Sequence, residues 1–134
     1  MNGLGKEHGQ WRTERGGATT WILPPNILVS RVEGHADVEL VRHIVESGDE
    51  VIARYGSLVA FHDWERITSY DSKARTRLTQ WGDSIRANVR SVHILVGSTL
   101  VKMGVNVASL VLGNMLTAYD SRERFEAAFR DARA

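Results

Sequence analysis

The sequence predicts an α/β fold: a mixed, mostly parallel sheet of five strands with four helices, in the order β-β-α-β-α-β-α-β-α. Three observations carry that reading. Leu58–Phe61 and Val92–Val96 are short unbroken apolar runs, the pattern of strands buried on both faces. The longer stretches between them repeat apolar residues at helical spacing. The two patterns alternate, and alternation implies parallel strands joined by covering helices.

Residues 1–18 hold five glycines among polar and charged side chains, and no apolar period of 2 or 3.6. With so little apolar mass to offset the entropy of ordering, this segment reads as a flexible leader before a domain spanning 19–134. Thr19–Leu23 is β-prone and is stopped by Pro24-Pro25, which marks an edge strand followed by a turn. Ile27–Glu33 is its antiparallel neighbour. Asp37 is a good N-cap for a helix reaching Tyr55, and Gly56 ends it. Gly48 falls inside that helix, which implies a close packing contact or a bend. After the strand Leu58–Phe61, residues 62–70 read as a loop, and 71–88 as a second helix with Ala74, Leu78, Trp81 and Ile85 on one face. The strand Val92–Val96, a third helix Leu100–Leu112, the strand Met115–Tyr119 and a last helix 120–133 complete the order. Asp120 and Glu123 form a capping box for that final helix.

The chain is one domain's worth at 134 residues. Seventeen Lys and Arg against sixteen Asp and Glu give +1, which argues against binding that rests on phosphate neutralisation. The absence of cysteine excludes thiol catalysis, disulfides and cysteine-ligated metals. No apolar run approaches a membrane span, so integral membrane association is not expected and only weak peripheral contact is left open. A cytoplasmic protein is the expectation.

Open α/β sheets place their sites at the carboxyl ends of the strands. His62-Asp63-Trp64, Gly97-Ser98-Thr99 and Tyr119-Asp120 lie there, and the region after Phe61 is the densest. One reading takes His62 as a base and Ser72 as a nucleophile. The other gives Asp71 the helix cap and leaves a solvated loop. No nucleophile-elbow motif is present, so no catalytic residue is assigned. The five histidines show no ligand spacing, and no metal or cofactor is expected. His93, inside an apolar run, reads as a hydrogen-bonded core residue. Lys73 and Arg77, with Arg75, Arg86 and Arg90, give the second helix a basic face. That face suits plain solvation, an acidic partner or a membrane surface.

The third helix is unusual. Its only polar side chains, Lys102, Asn106 and Ser109, form one thin line. An otherwise apolar helix of thirteen residues needs cover on more than its sheet side. Intramolecular packing, a homodimer or partner surface, and a pocket for an apolar ligand each supply such cover. Met103, Val107 and Leu110 are the residues such a partner or ligand would meet.

The element order, Tyr70-Asp71-Ser72 with Ala74-Arg75 and Trp81, the strand Val92-His93-Ile94-Leu95-Val96, and Met103-Gly104-Val105 together resemble the STAS domain. They are most similar to its SpoIIAA-like (STAS/SEC14) branch. The resemblance covers about residues 19–132. It implies a non-enzymatic regulatory or protein–protein interaction domain, and the apolar third helix adds the expectation that it self-associates or forms a stable complex. His62, Asp63, Tyr70, Asp71, Ser72, Lys73 and Arg77 would then form the partner surface, with the third helix beside them. Anti-sigma factor antagonists carry Asp-Ser-Ser-Gly at this helix start and are phosphorylated on the second serine. Here the run is Asp71-Ser72-Lys73-Ala74, with a lysine at the switch position. The SEC14 side of the branch implies the alternative, a carrier or sensor of a small apolar or lipid-like ligand.

Overall fold

Six strands, one more than the sequence predicts, form a single sheet in the order β1-β2-β3-β4-β5-β6 in the computed structural model, which describes residues 1–134. The elements are β1 Gly9–Arg12, β2 Gly16–Leu23, β3 Ile27–Ala36, α1 Val38–Tyr55, β4 Leu58–Tyr70, α2 Ser72–Ser84, β5 Val89–Val96, α3 Thr99–Leu112, β6 Leu116–Tyr119 and α4 Arg122–Arg133. β1, β2 and β3 pair antiparallel, whereas β3, β4, β5 and β6 pair parallel. The mixed, mostly parallel sheet with four helices is therefore as expected.

Alternation along the strands sorts side chains onto two faces. Ala18, Leu28, Val32, Leu58, Ala60, Ile94 and Val96 share one cluster with α1, α2 and α3. Trp21, Ile27, Val29, Phe61 and Leu95 form the other with Phe125 and Phe129 of α4. Three helices thus cover one face and one helix covers the other. The caps of α1 act as read from the sequence: Asp37 accepts from the Leu40 N–H, and Gly56 ends the helix at φ 82°. α4 differs, since Ser121 rather than Asp120 caps it by accepting from the Arg124 N–H, and the Asp120 carboxylate meets the Arg124 side chain instead. Gly48 is a close-contact glycine, since a Cβ there would fall inside the ring of Trp81.

Three further expectations need correction. The expected unstructured leader supplies β1 and the start of β2. Trp11 orders it by stacking on His43 of α1 at 4.3 Å, and Leu4 is buried on the α4 side. The expected loop over 62–70 is the second half of a thirteen-residue strand, β4. Its charged residues are tolerated because Asp63 and Glu65 meet Arg122 of α4 and Arg66 is exposed. α2 stops at Ser84, and a separate short turn of 3-10 helix covers Arg86–Asn88.

Candidate binding cavity and partner surface

A sheet whose strands run in strict chain order never reverses direction of growth, so it has no switch-point crevice at its carboxyl edge. The main cavity lies instead between the sheet and α1, α2 and α3, with a volume of about 110 Å³. Hydrophobic residues make up 22 of its 27 lining positions, so its polar groups stand out: His62, Arg75, Thr79 and the hydroxyl of Tyr70. The Thr79 hydroxyl is already spent on the Arg75 carbonyl at 2.9 Å. Arg75, Leu78 and Ala108 are half-buried and form the outer rim between α2 and α3.

His62 is the buried polar group of this cavity, 3% exposed. It sits on β4 between β3 and β5, opposite Ser30 and Ile94. Its Nδ1 lies 2.6 Å from the Ser30 hydroxyl, and Trp64 donates its indole N–H to the same hydroxyl at 3.1 Å. Trp64 also stacks on the imidazole at 4.6 Å. Burial, with His93 adding to it, pushes the imidazole down to about 3, so the ring is neutral at pH 7. An indole N–H only donates. The Ser30 proton is therefore satisfied only by donating to His62 Nδ1, which places the ring's own proton on Nε2.

The carboxyl ends of β3 and β4 carry a second polar group that the sequence reading did not contain. His35 Nδ1 meets Ser69 Oγ at 2.7 Å, and its Nε2 meets Asp71 Oδ1 at 2.8 Å. A carboxylate only accepts, so Nε2 carries a proton. Because Asp71 is turned toward His35, it makes no side-chain bond to the start of α2, contrary to its expected capping role. None of the three residues lines the cavity. They tie two strand ends to the helix start.

On the opposite face Asp63 is 4% exposed, and both of its oxygens accept from Arg122 at 3.0 Å. Arg31 Nε lies 3.7 Å away. Arg122 also reaches Glu65 and Glu126 and so fastens α4 to β4. His93 stacks on Phe61 and bonds to Tyr119 and Ser91, as expected of a core histidine, with its pKa lowered by burial.

The predicted site residues therefore separate. His62 faces the cavity, Asp63 lies on the far face, and both are buried in β4 rather than placed on a loop. His62 pairs with Ser30 and has no bond to Ser72, so the pair considered for nucleophilic catalysis is not assembled. Tyr70 lines the cavity, and its hydroxyl would lie 2.7 Å from a Cβ on Gly104, which is why α3 needs glycine there. Asp71 is half-buried, whereas Ser72, Lys73 and Arg77 at the start of α2 are exposed. On α3, Leu100, Met103, Val107, Leu110 and Val111 form an exposed apolar ridge, with Leu110 85% exposed. Sequence reasoning missed Ser30 and His35. The signal for Ser30 was a lone hydroxyl between Leu28 and Val32 on one apolar strand face.

No helix is long and apolar enough to cross a membrane. No protein-family model and no curated protein matches the chain. Solved structures do. An uncharacterized protein of the DUF3478 family with a SpoIIAA-like fold, from Shewanella loihica PV-4, superposes with a TM-score of 0.66 at 13% identity, over 88% of this chain and 98% of its own. The anti-sigma factor antagonist SpoIIAA in its unphosphorylated form gives 0.59 at 16% identity, over 85% and 96%. An anti-sigma factor antagonist from Mycobacterium paratuberculosis gives 0.58 at 16%, over 85% and 95%.

Proposed function

From the premise that the fold is SpoIIAA-like, we propose that this chain is a non-enzymatic regulatory domain that works by binding protein, including a second copy of itself. The observation that carries this reading is the apolar ridge of α3, whose Met103 and Leu110 are 60% and 85% exposed. Isolated exposed apolar residues are ordinary, but five on one short helix form a patch of the kind found at interfaces. Ser72, Lys73 and Arg77 are exposed at the start of α2. Lys73 offers a fixed positive charge where the resembled antagonists carry a serine, which favours an acidic contact.

Sedimentation across micromolar concentrations tests the reading. Wild type is expected to self-associate, and Leu110→Glu and Met103→Glu are expected to be monomeric with unchanged melting temperature. A wild type that stays monomeric at every concentration removes the self-association part.

A second reading is supported by a different observation. The cavity under α3 suits a carrier or sensor of a small apolar ligand.

A further inference from the structure

The Nε2 of His62 has no hydrogen-bond partner within the protein, although its Nδ1 is bonded. Every polar side-chain atom that is fully sealed from solvent does have a partner. Nε2 therefore borders open space, and the space His62 lines is the apolar cavity. Since Ser30 fixes the proton on Nε2, the group facing that space is a hydrogen-bond donor.

A water molecule makes a poor occupant. It needs two to four polar partners, and apart from Tyr70 and Arg75, both only half-buried, the lining supplies one free donor, which is buried. A purely hydrocarbon occupant would leave that donor unsatisfied, which is costly in an apolar site. A carboxylate held by His62 would be a buried charge beside a neutral ring, because the one cation of the lining, Arg75, stands half-buried at the outer rim.

We infer that the cavity binds one compact, uncharged, mostly hydrocarbon molecule through a single oxygen acceptor, a carbonyl or hydroxyl oxygen, held by the Nε2–H of His62. The inference rests on the ligand-carrier reading and is independent of the α3 surface. Size agrees with it. The cavity measures about 110 Å³, and an engineered apolar cavity of roughly 150 Å³ takes benzene, so the occupant is a small ring or short branched chain. Selectivity follows from the donor: the Nε2–H of His62 donates to a ketone oxygen and disfavours both the parent hydrocarbon and the matching acid.

Nuclear magnetic resonance titration of the full chain with three probes, cyclopentanone, methylcyclopentane and cyclobutanecarboxylate, tests this. Cyclopentanone is expected to shift the Ile94, Val101 and Val105 amides and the His62 Nε2 signal. It is expected to bind about tenfold more tightly than methylcyclopentane. The carboxylate is expected to bind more weakly still. His62→Phe should erase the ketone preference while retaining hydrocarbon binding. Should that variant fail to fold, Ser30→Ala, which releases the proton from Nε2, should reduce the preference. Equal binding of ketone and hydrocarbon by wild type overturns the inference and leaves an apolar carrier standing. No response to any of the three probes overturns both.

Discussion

Acid destabilisation of the fold through His62 follows directly from its burial. In the unfolded chain a histidine titrates near 6.5, whereas in the folded protein His62 is pushed down to about 3. Between those values the unfolded state binds a proton that the folded state refuses. Stability is therefore full above pH 6.5 and falls as pH drops, at about 1.4 kcal/mol per pH unit, until the folded pKa is reached. From pH 7 to pH 5 the loss works out at about 2 kcal/mol, a large part of the ordinary stability of a domain. His93 is shifted the same way and adds to the wild-type loss. The His62 share is isolated by comparison with His62→Gln. Urea unfolding of both proteins at pH 7, 6 and 5 gives the two slopes. The variant is expected to start less stable and to lose about 2 kcal/mol less on acidification than wild type. Parallel pH profiles would refute the reasoning, because they would mean that His62 titrates where a solvated histidine does.

Three further outcomes are expected from the packing. Gly48→Ala should lower stability by about 1–3 kcal/mol in thermal unfolding, because its Cβ overlaps Trp81, whose Nε1 is fixed on Asp49; a stabilising effect would contradict that contact. Arg122→Ala should cost about 3 kcal/mol by urea titration, since Asp63 is left buried with only Arg31 nearby; a loss below about 1 kcal/mol would show that Asp63 gains another partner or becomes solvated. Leu40→Ala should cost about 2–5 kcal/mol whereas Leu110→Ala should stay within about 0.5 kcal/mol, and equal costs in calorimetry would place the α3 ridge inside the core.

What the sequence disclosed depended on whether its signal was local. α1 was legible because Asp37, Gly56 and the apolar stripe between them lie within one segment. The exposed ridge of α3 was legible for the same reason, since a helix with one thin polar line has too much apolar surface for one neighbour. The second half of β4 was hidden. Asp63 and Glu65 read as loop residues because the arginine that meets them lies 59 and 57 positions further on, in α4. β1 was hidden as well, because Trp11 is held by His43 rather than by anything in its own glycine-rich surroundings. His62 was noticed but misplaced. Its role depends on Ser30, 32 residues earlier, which only the pairing of β3 with β4 brings alongside. Helix-capping chemistry misled in two places: the Asp71 carboxylate turned to His35 instead of the helix it precedes, and Ser121 rather than Asp120 caps α4.

The strict chain order of the sheet also bears on how the molecule assembles. Each strand from β2 to β6 pairs with the strand immediately before it in the chain, so no pairing must wait for a distant segment. The antiparallel pairs close over tight turns, whereas each parallel pair closes a helical crossover, such as the one from Ile27 to Val59, whose entropy is paid before its contacts form. Growth can proceed from one edge to the other as the chain leaves the ribosome, each strand docking on one already placed. The long-range steps that remain are those made by side chains, Trp11 onto α1 and Arg122 onto Asp63, which close the two faces after the backbone ladder exists.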